Sequence, residues 1–230
     1  MNEQLTLALQ INDEATFTDF CWGENILLQH KIQQIIAGCG ERALYCWGPA
    51  GSGKSHLLQA CCQSVRSGRA AIYLPLGIVK ECGPAILDDL ELQSFIAIDD
   101  IDVIAAEPDW EEALLHLYNR IRDNGETTLI ITSTLSPAEA PIRLPDLRSR
   151  LSWGLVMQLY PLNDADKIGT LQRVAQKRGF ELSAHVGQFL LNRCARNMRD
   201  LHLLLDRLDV ASLAAQRKIT IPFVKAVLGI

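Results

Sequence analysis

The chain has 230 residues, of which 48% are hydrophobic and 21% are charged, a balance typical of a globular protein with a full core. Its net charge of −5 is not gathered in runs of one sign, which argues against strong, sequence-independent attraction to nucleic-acid phosphates. No window reaches the roughly 18 apolar residues of a membrane span, and the N-terminus lacks the pattern of a signal peptide. The cysteines are odd in number and form no Cys-x-x-Cys pair, so we expect reduced thiols in a cytoplasmic protein.

The first predicted element is a short strand at the N-terminus, residues 4–9, which read QLTLAL. Leu5, Leu7 and Leu9 alternate with small residues after Gln4, and this is the period of an extended strand. The polar stretch that follows offers no hairpin partner nearby. Periodicity alone leaves two interpretations open: an ordinary edge strand, or an extended peptide that binds a groove on another protein.

Strands and helices alternate over the next part of the chain. Each predicted strand is an unbroken apolar run, which is typical of a parallel sheet covered on both faces. The predicted strands are residues 43–47, 69–76, 94–102, 127–134 and 154–160, and the predicted helices are residues 23–38, 56–68, 84–93, 109–125 and 143–151.

From residue 164 onward the sequence predicts only helices. Ser183 and Asn197 are suited to begin two of them as N-caps, and Gly179 is suited to end another. We therefore expect an α/β domain with a parallel five-stranded sheet, followed by a small C-terminal helical domain. The predicted ranges are a tail at residues 1–16, the α/β domain at 17–161 and the helical domain at 162–230, with helices at 164–179, 183–196, 197–216 and 221–228.

A phosphate-binding loop is predicted at residues 48–55, GPAGSGKS, which fit the pattern G-x-x-x-x-G-K-[ST] between a predicted strand and a predicted helix. Its glycines permit a tight turn whose N–H groups face a phosphate, and the helix N-terminus adds partial positive charge. Lys54 would neutralise the β- and γ-phosphates, and Ser55 would ligate Mg²⁺. The alternative, a plain glycine-rich turn, does not account for the lysine and hydroxyl in this order. We expect ADP or ATP with Mg²⁺, bound by Gly48, Pro49, Ala50, Gly51, Ser52, Gly53, Lys54, Ser55 and His56.

A pair of acids follows the third predicted strand, in the stretch FIAIDDID. Asp99 would join Ser55 in holding the Mg²⁺ shell, and Asp100 would orient an attacking water. The alternative is that acids end this strand because strands end at solvent. The phosphate loop about 45 residues earlier favours the catalytic interpretation.

The ordered motifs resemble those of the AAA+ ATPases, and within them proteins of the DnaA/Hda type. Residues 15–28 look like the segment that borders the adenine pocket of DnaA, and residues 197–208 look like its sensor-2 helix. GPAGSGKSHLLQA, FIAIDDID, TTLIITS and RSRLSWGL look like the boxes between them. The resemblance covers nearly everything from Phe17 onward and implies a P-loop AAA+ domain with a C-terminal α-helical lid.

The resemblance implies functions for two arginines. Arg150 would be an arginine finger acting in trans on a nucleotide of a neighbouring subunit, with Arg148 as a weaker candidate on the same segment. Arg199 would be sensor 2, whereas its sequence alone also allows an exposed pair with Asp206. One departure stands out: the family has Thr-Ser-Asp where residues 132–134 read Thr-Ser-Thr, which puts the sensor-1 role and nucleotide turnover in question.

The resemblance also implies a function for the N-terminal strand: its Gln-Leu-x-Leu-x-Leu pattern looks like the motif that binds the bacterial sliding clamp. Gln4 would hydrogen-bond at a pocket rim while Leu5, Leu7 and Leu9 fill apolar sites. The resemblance implies two protein partners, DnaA and the clamp (the beta subunit of DNA polymerase III), with DNA reached indirectly through the clamp. Self-association through this strand is a further expectation.

The resemblance implies a negative regulator of replication initiation that stimulates ATP hydrolysis by DnaA and has weak turnover of its own. Because the sequence stops at Ile230, just after the predicted lid, we do not expect an origin-binding initiator. Two alternatives stay open: a helicase-loader-type AAA+ ATPase, and a passive adaptor that binds DnaA and the clamp.

Overall fold

The computed structural model describes residues 15–65 and 70–230. The strand predicted at residues 4–9, with Gln4, Leu5, Leu7 and Leu9, lies outside the described residues and stays a prediction. Within the described part of the chain, no helix combines the length and the apolar character that crossing a membrane requires.

A five-stranded parallel sheet, in the order β2-β3-β4-β1-β5, forms the centre of the α/β part. Strands β3 and β4 are buried at every position, which agrees with their unbroken apolar sequence. The order places the carboxyl ends of β1 and β3 on either side of the end of β4, so the phosphate loop and the acids meet at one edge of the sheet. The predicted sheet is confirmed, with strands β1 Ala43–Trp47, β2 Ala71–Pro75, β3 Phe95–Asp99, β4 Thr128–Ser133 and β5 Leu155–Gln158.

Helices connect these strands. The longest, Pro108–Asn124, buries Leu114, Tyr118 and Ile121 on its inner face. It ends where Gly125, with φ of 69°, donates its N–H to the carbonyl of Ile121 at 2.9 Å. The helices are α1 Ile26–Ile36, α2 Lys54–Val65, the short α3 Leu76–Val79, α4 Pro108–Asn124 and α5 Pro145–Leu151.

Two sequence-based expectations need correction. The helix predicted at residues 84–93 is instead two short 3₁₀ turns, because Asp89 adopts the left-handed conformation with φ of 60° and breaks the run. The third strand ends at Asp99 rather than at Asp102, because Asp100 is also left-handed, with φ of 55°. In both places a short acidic side chain tolerates a backbone that other residues avoid.

The C-terminal part is helical, as predicted. Ser183 and Asn197 are confirmed as N-caps, since their side chains accept hydrogen bonds from the N–H groups of Val186 and Asp200 at 3.3 Å and 2.9 Å. A separate apolar core, which includes Leu190 and Leu205, stabilises these helices. They are α6 Asp164–Lys177, α7 Ala184–Arg193, α8 Met198–Ala215 and α9 Ile221–Leu228.

The described chain divides into two compact units that interleave in sequence. The first holds residues 15–20, Asn25–Pro49 and the described part of Lys54–Leu159, and the second holds Cys21–Glu24, Ala50–Gly53 and Tyr160–Ile230. The predicted domain ranges, 17–161 and 162–230, stay a prediction.

Candidate nucleotide site

The phosphate loop joins β1 to α2. Gly51 and Gly53 have φ of 78° and 104°, a region that side chains disfavour, so the loop can turn only with glycine there. Lys54 begins α2 with its side chain only 6% exposed, and its Nζ donates to the carbonyl of Gly48 at 3.1 Å. The hydroxyl of Ser52 is buried and has no hydrogen-bond partner among the described residues. A buried hydroxyl of this kind requires a partner, and a phosphate oxygen in the loop would supply it.

Asp99 ends β3 as a buried carboxylate. Its Oδ2 accepts a hydrogen bond of 2.8 Å from the Tyr73 hydroxyl, and its Oδ1 accepts one of 2.5 Å from Oγ1 of Thr132. Tyr73 lies on β2 and Thr132 on β4, the two strands that flank β3. A buried carboxylate is costly unless its oxygens are hydrogen-bonded, so these neighbours hold Asp99 in a fixed position.

Burial and the neighbouring charge of Asp99 both act on the Tyr73 hydroxyl. Burial raises the pKa of Tyr73, and the charge of Asp99 raises that pKa further, while hydrogen bonds with the Gln59 and Ser55 side chains lower it. No cluster of three or more His, Cys, Asp or Glu side chains suited to a metal occurs in the described ranges. Ser55 and Asp99 are the predicted Mg²⁺ ligands, and Mg²⁺ is usually bound by one or two protein oxygens together with substrate phosphates.

Asp100 faces the phosphate-loop lysine. Its left-handed backbone places Oδ1 at 3.9 Å from Nζ of Lys54, while its N–H donates to Oγ1 of Thr132 at 3.1 Å. Burial raises the pKa of Asp100, Asp99 raises it further, Lys54 lowers it and Asp102 raises it. The acid expected to orient a water is therefore held beside the predicted phosphate position.

Asp102 brings a carboxylate to the end of β4. Its Oδ1 accepts a hydrogen bond of 2.7 Å from the Ser133 hydroxyl, and its Oδ2 accepts one of 2.7 Å from the N–H of Thr134. The family pattern has its acid at position 134, whereas here the acid reaches the same strand end from the turn after β3. This contact ties the end of β4 to the two acids that precede Asp102.

His56 attaches the segment before α1 to the helix behind the phosphate loop. Its Nε2 lies 3.2 Å from the carbonyl oxygen of Thr16, and its ring meets Phe20 edge-on with centroids 5.3 Å apart. Burial lowers the pKa of His56, against the smaller raising effects of the Thr16 carbonyl and of Asp19. The segment that resembles the adenine-pocket border thus lies against α2.

Arg150 lies in the last turn of α5, half-buried, with its guanidinium carbon 5.4 Å from the centre of the Trp153 ring. Arg122 on α4 approaches the same ring, at 5.9 Å. Across the described ranges, no carboxylate pairs with Arg150, whereas Arg122 pairs with Asp123 at 3.0 Å. Arg150 thus presents a guanidinium whose N–H donors are open to an external anion.

A buried carboxylate anchors the start of α5. Glu111 on α4 is 1% exposed and accepts hydrogen bonds from the N–H groups of Ala106, Arg143 and Leu144 at 2.7 Å, 3.0 Å and 2.7 Å. Leu144 is the residue immediately before α5. Glu111 therefore fixes the helix that carries Arg150 against α4.

Known proteins match the C-terminal helices in sequence and the whole chain in fold. A family model described as the lid domain of Hda matches residues 164–228. Domain III of the replication initiation protein DnaA from Thermotoga maritima aligns with a TM-score of 0.83 at 21% identity, over 96% of this chain and 98% of that one. The C-terminal helices thus match the Hda lid domain, and the chain has the fold of DnaA domain III. The expected fold, a P-loop AAA+ domain with a helical lid, is confirmed, and both matches agree with the resemblance to the DnaA/Hda type.

Two further structures share this fold. AMPPCP-bound DnaA from Aquifex aeolicus aligns with a TM-score of 0.74 at 18% identity, over 89% of this chain and 68% of that one. A point variant of RuvB from Thermotoga maritima aligns with a TM-score of 0.70 at 16% identity, over 96% of this chain and 73% of that one. At these identities the likeness concerns the fold alone.

Arg199 lies in the first turn of α8 with an exposed side chain. Asp206, its alternative partner in the sequence, pairs with Arg178 instead. Arg199 belongs to the second compact unit, and its sensor-2 role stays a prediction.

Some residues that shape the candidate site were not predicted from the sequence. Nothing in the sequence indicated a role for Tyr73, because a tyrosine within an apolar strand is usually an ordinary core residue. Trp153 had a visible signal, since it follows Arg150 in RSRLSWG. Glu111 had one too: it shares a helix face with Leu114 and Tyr118, and an acid on an apolar face requires a partner.

Proposed function

We propose that this AAA+ protein is a nucleotide-bound negative regulator of DNA replication initiation. Residues 4–9 would dock it on the DNA-loaded sliding clamp, the beta subunit of DNA polymerase III, and Arg150 would reach ATP held by DnaA. There the guanidinium would stabilise charge that develops on the γ-phosphate, which would speed hydrolysis and leave DnaA with ADP. The match of residues 164–228 to the Hda lid and the DnaA-like fold support this proposal.

The arrangement of Arg150 is the observation that carries the proposal. Its helix is anchored by Glu111, its guanidinium lies over Trp153, and no carboxylate among the described residues pairs with it. An unpaired arginine on a fixed helix can serve a phosphate on another molecule, because its planar fork matches phosphate oxygens. An arginine finger supplied in this way contributes about 10³- to 10⁵-fold to kcat.

The chain's own site suits ADP or ATP with Mg²⁺ in a binding rather than a turnover role. Lys54 and the unpaired Ser52 hydroxyl would hold phosphates, and Ser55 with Asp99 would hold Mg²⁺, which neutralises phosphate charge when bound. Both carboxylate oxygens of Asp99 already accept hydrogen bonds, and Thr134 stands where the family has an acid. These two features support weak intrinsic hydrolysis.

Hydrolysis of ATP by DnaA, measured with clamp loaded on DNA, tests the finger. We expect Arg150→Ala to lower the stimulated rate by about 100-fold or more. Arg148→Ala is the matched control on the same helix, and we expect it to stay close to wild type. Stimulation by Arg150→Ala at the wild-type rate would disprove the assignment, and binding without any acceleration by wild type would favour a passive adaptor.

Clamp binding is tested separately from hydrolysis. A variant with Gln4, Leu7 and Leu9 replaced by alanine should lose clamp binding while its nucleotide-dependent thermal stability stays unchanged. Undiminished clamp binding by this variant would remove the N-terminal segment from the proposal and leave the Arg150 test unaffected.

A helicase-loader-type ATPase is the second candidate, and the contact between Asp100 and Lys54 favours it. Their atoms lie 3.9 Å apart, so a water-orienting acid and a phosphate-binding lysine occur together. The purified chain would then hydrolyse ATP rapidly by itself. Slow turnover without DnaA, combined with loss of DnaA stimulation in Arg150→Ala, would exclude this candidate.

A further inference from the structure

We propose that Trp153 is a positioning residue that holds the Arg150 guanidinium in the orientation from which it reaches a phosphate. The inference rests on the proposed function, since it concerns how the same arginine is presented. Its starting point is the 5.4 Å distance between the guanidinium carbon of Arg150 and the centre of the Trp153 ring.

The backbone of Trp153 is fixed although its side chain is 57% exposed. Its N–H donates to the carbonyl of Arg150 at 3.0 Å, and its own carbonyl accepts a hydrogen bond of 2.9 Å from the Tyr118 hydroxyl. Gly154, with φ of 117°, packs so closely that an added Cβ would lie 3.0 Å from the carbonyl oxygen of Ala43. An exposed ring on a fixed backbone is a stable platform for a mobile side chain.

The contact with the indole leaves the donors of Arg150 available. A cation over an aromatic ring is attracted by the negative face of the ring, whereas phosphate is bound by the N–H groups at the guanidinium edge. A carboxylate partner would occupy those same N–H groups. Trp153 can therefore restrict the rotamers of Arg150 without competing with the phosphate.

Arg122 approaches the same ring as Arg150 but differs from it in its hydrogen bonds. Its guanidinium carbon lies 5.9 Å from the ring centre, but its Nε and Nη2 also donate to Asp123, at 3.2 Å and 3.0 Å. The donors of Arg122 are thus engaged within its own helix, and those of Arg150 are not. Of the two arginines on this ring, the geometry points to Arg150 as the one presented to an anion.

Hydrolysis by DnaA on clamp-loaded DNA tests this inference with Trp153→Leu and Trp153→Phe. Leucine keeps an apolar side chain without an aromatic face, so we expect the maximal rate to fall about fivefold with an unchanged half-saturating concentration. Phenylalanine keeps the face and should retain most of the rate. A Trp153→Leu variant as fast as wild type, or a Trp153→Phe variant as slow as Trp153→Leu, would overturn the inference.

Proton NMR of the isolated protein tests the contact without DnaA or the clamp. Ring currents should move the Arg150 side-chain resonances upfield in wild type and in Trp153→Phe, and this shift should be lost in Trp153→Leu. Absence of the upfield shift in wild type would refute the contact.

Arg150→Ala, assayed in parallel, separates the two proposals. If Arg150→Ala is inactive while Trp153→Leu is fully active, the Trp153 inference fails alone. If Arg150→Ala is fully active, the finger itself fails, and the positioning role fails with it.

Discussion

The hydroxyl of Tyr73 donates a hydrogen bond of 2.8 Å to Oδ2 of Asp99. Tyr73 pairs with Ala97 in the parallel register of β2 and β3, and Asp99 lies two residues further along β3. Side chains two residues apart on a strand share a face, so the register itself brings the hydroxyl to the carboxylate. The acid of the candidate site is thus held by the neighbouring strand as well as by its own.

Replacing Tyr73 by phenylalanine should destabilise the fold by about 2 kcal/mol, because a buried carboxylate oxygen loses its donor. Tyr45→Phe is the matched control: it is also a buried tyrosine, but its hydroxyl donates at 3.0 Å to the neutral carbonyl of Leu135. We expect the control to cost about 1 kcal/mol. Urea unfolding of both variants measures the difference, and equal costs would contradict a charge-assisted bond at Asp99.

Lys54→Met should weaken nucleotide binding by about 10- to 100-fold, because a hydrogen bond from a charged group contributes roughly 1.5–3 kcal/mol. The rise of Tm with added ADP and Mg²⁺ measures the binding, since a ligand of the folded state stabilises it. Lys218→Met, an exposed lysine outside the helices, is the control. An equal Tm rise in Lys54→Met and wild type would place the nucleotide elsewhere.

Glu111→Gln should destabilise the fold by about 2–3 kcal/mol, since its carboxylate accepts three backbone N–H groups and an amide nitrogen cannot accept them. Glu112→Gln changes the adjacent residue, whose side chain is 70% exposed, and should change stability by less than about 0.5 kcal/mol. Thermal unfolding compares the two. Similar losses in both variants would mean that Glu111 does not anchor the loop before α5.

The depressed pKa of His56 predicts a pH dependence of stability. The folded state favours the neutral ring of His56. In the unfolded chain the histidine has its ordinary pKa of about 6.5, so near and below this pH the unfolded chain binds more protons than the folded one. The free energy of unfolding should therefore decrease from about pH 7 downward until the lower pKa of the folded state is passed. His56→Gln should flatten this dependence in urea unfolding at several pH values, and an unchanged slope would show that His56 is not its source.

The sequence predicted the chemistry of the phosphate loop because that chemistry is local. Glycines, lysine and hydroxyl between Gly48 and Ser55 act within one turn of chain, so their spacing already carries the function. The five apolar runs indicated the parallel sheet for a similar reason, since burial on both faces leaves a continuous pattern. Helix propensity gave a wrong prediction at residues 84–93, where the left-handed backbone of Asp89 interrupts the expected helix.

The contacts around the acids and around Arg150 were decided only by the tertiary structure. Tyr73 and Thr132 meet Asp99 from strands that are distant in sequence, through the register and order of the sheet. Glu111 and Trp153 fix the surroundings of Arg150 through packing between α4, α5 and the start of β5. Local composition specifies which chemical groups the chain carries, but hydrogen bonds between distant segments depend on the packing of the whole domain, and that packing determines where each group points.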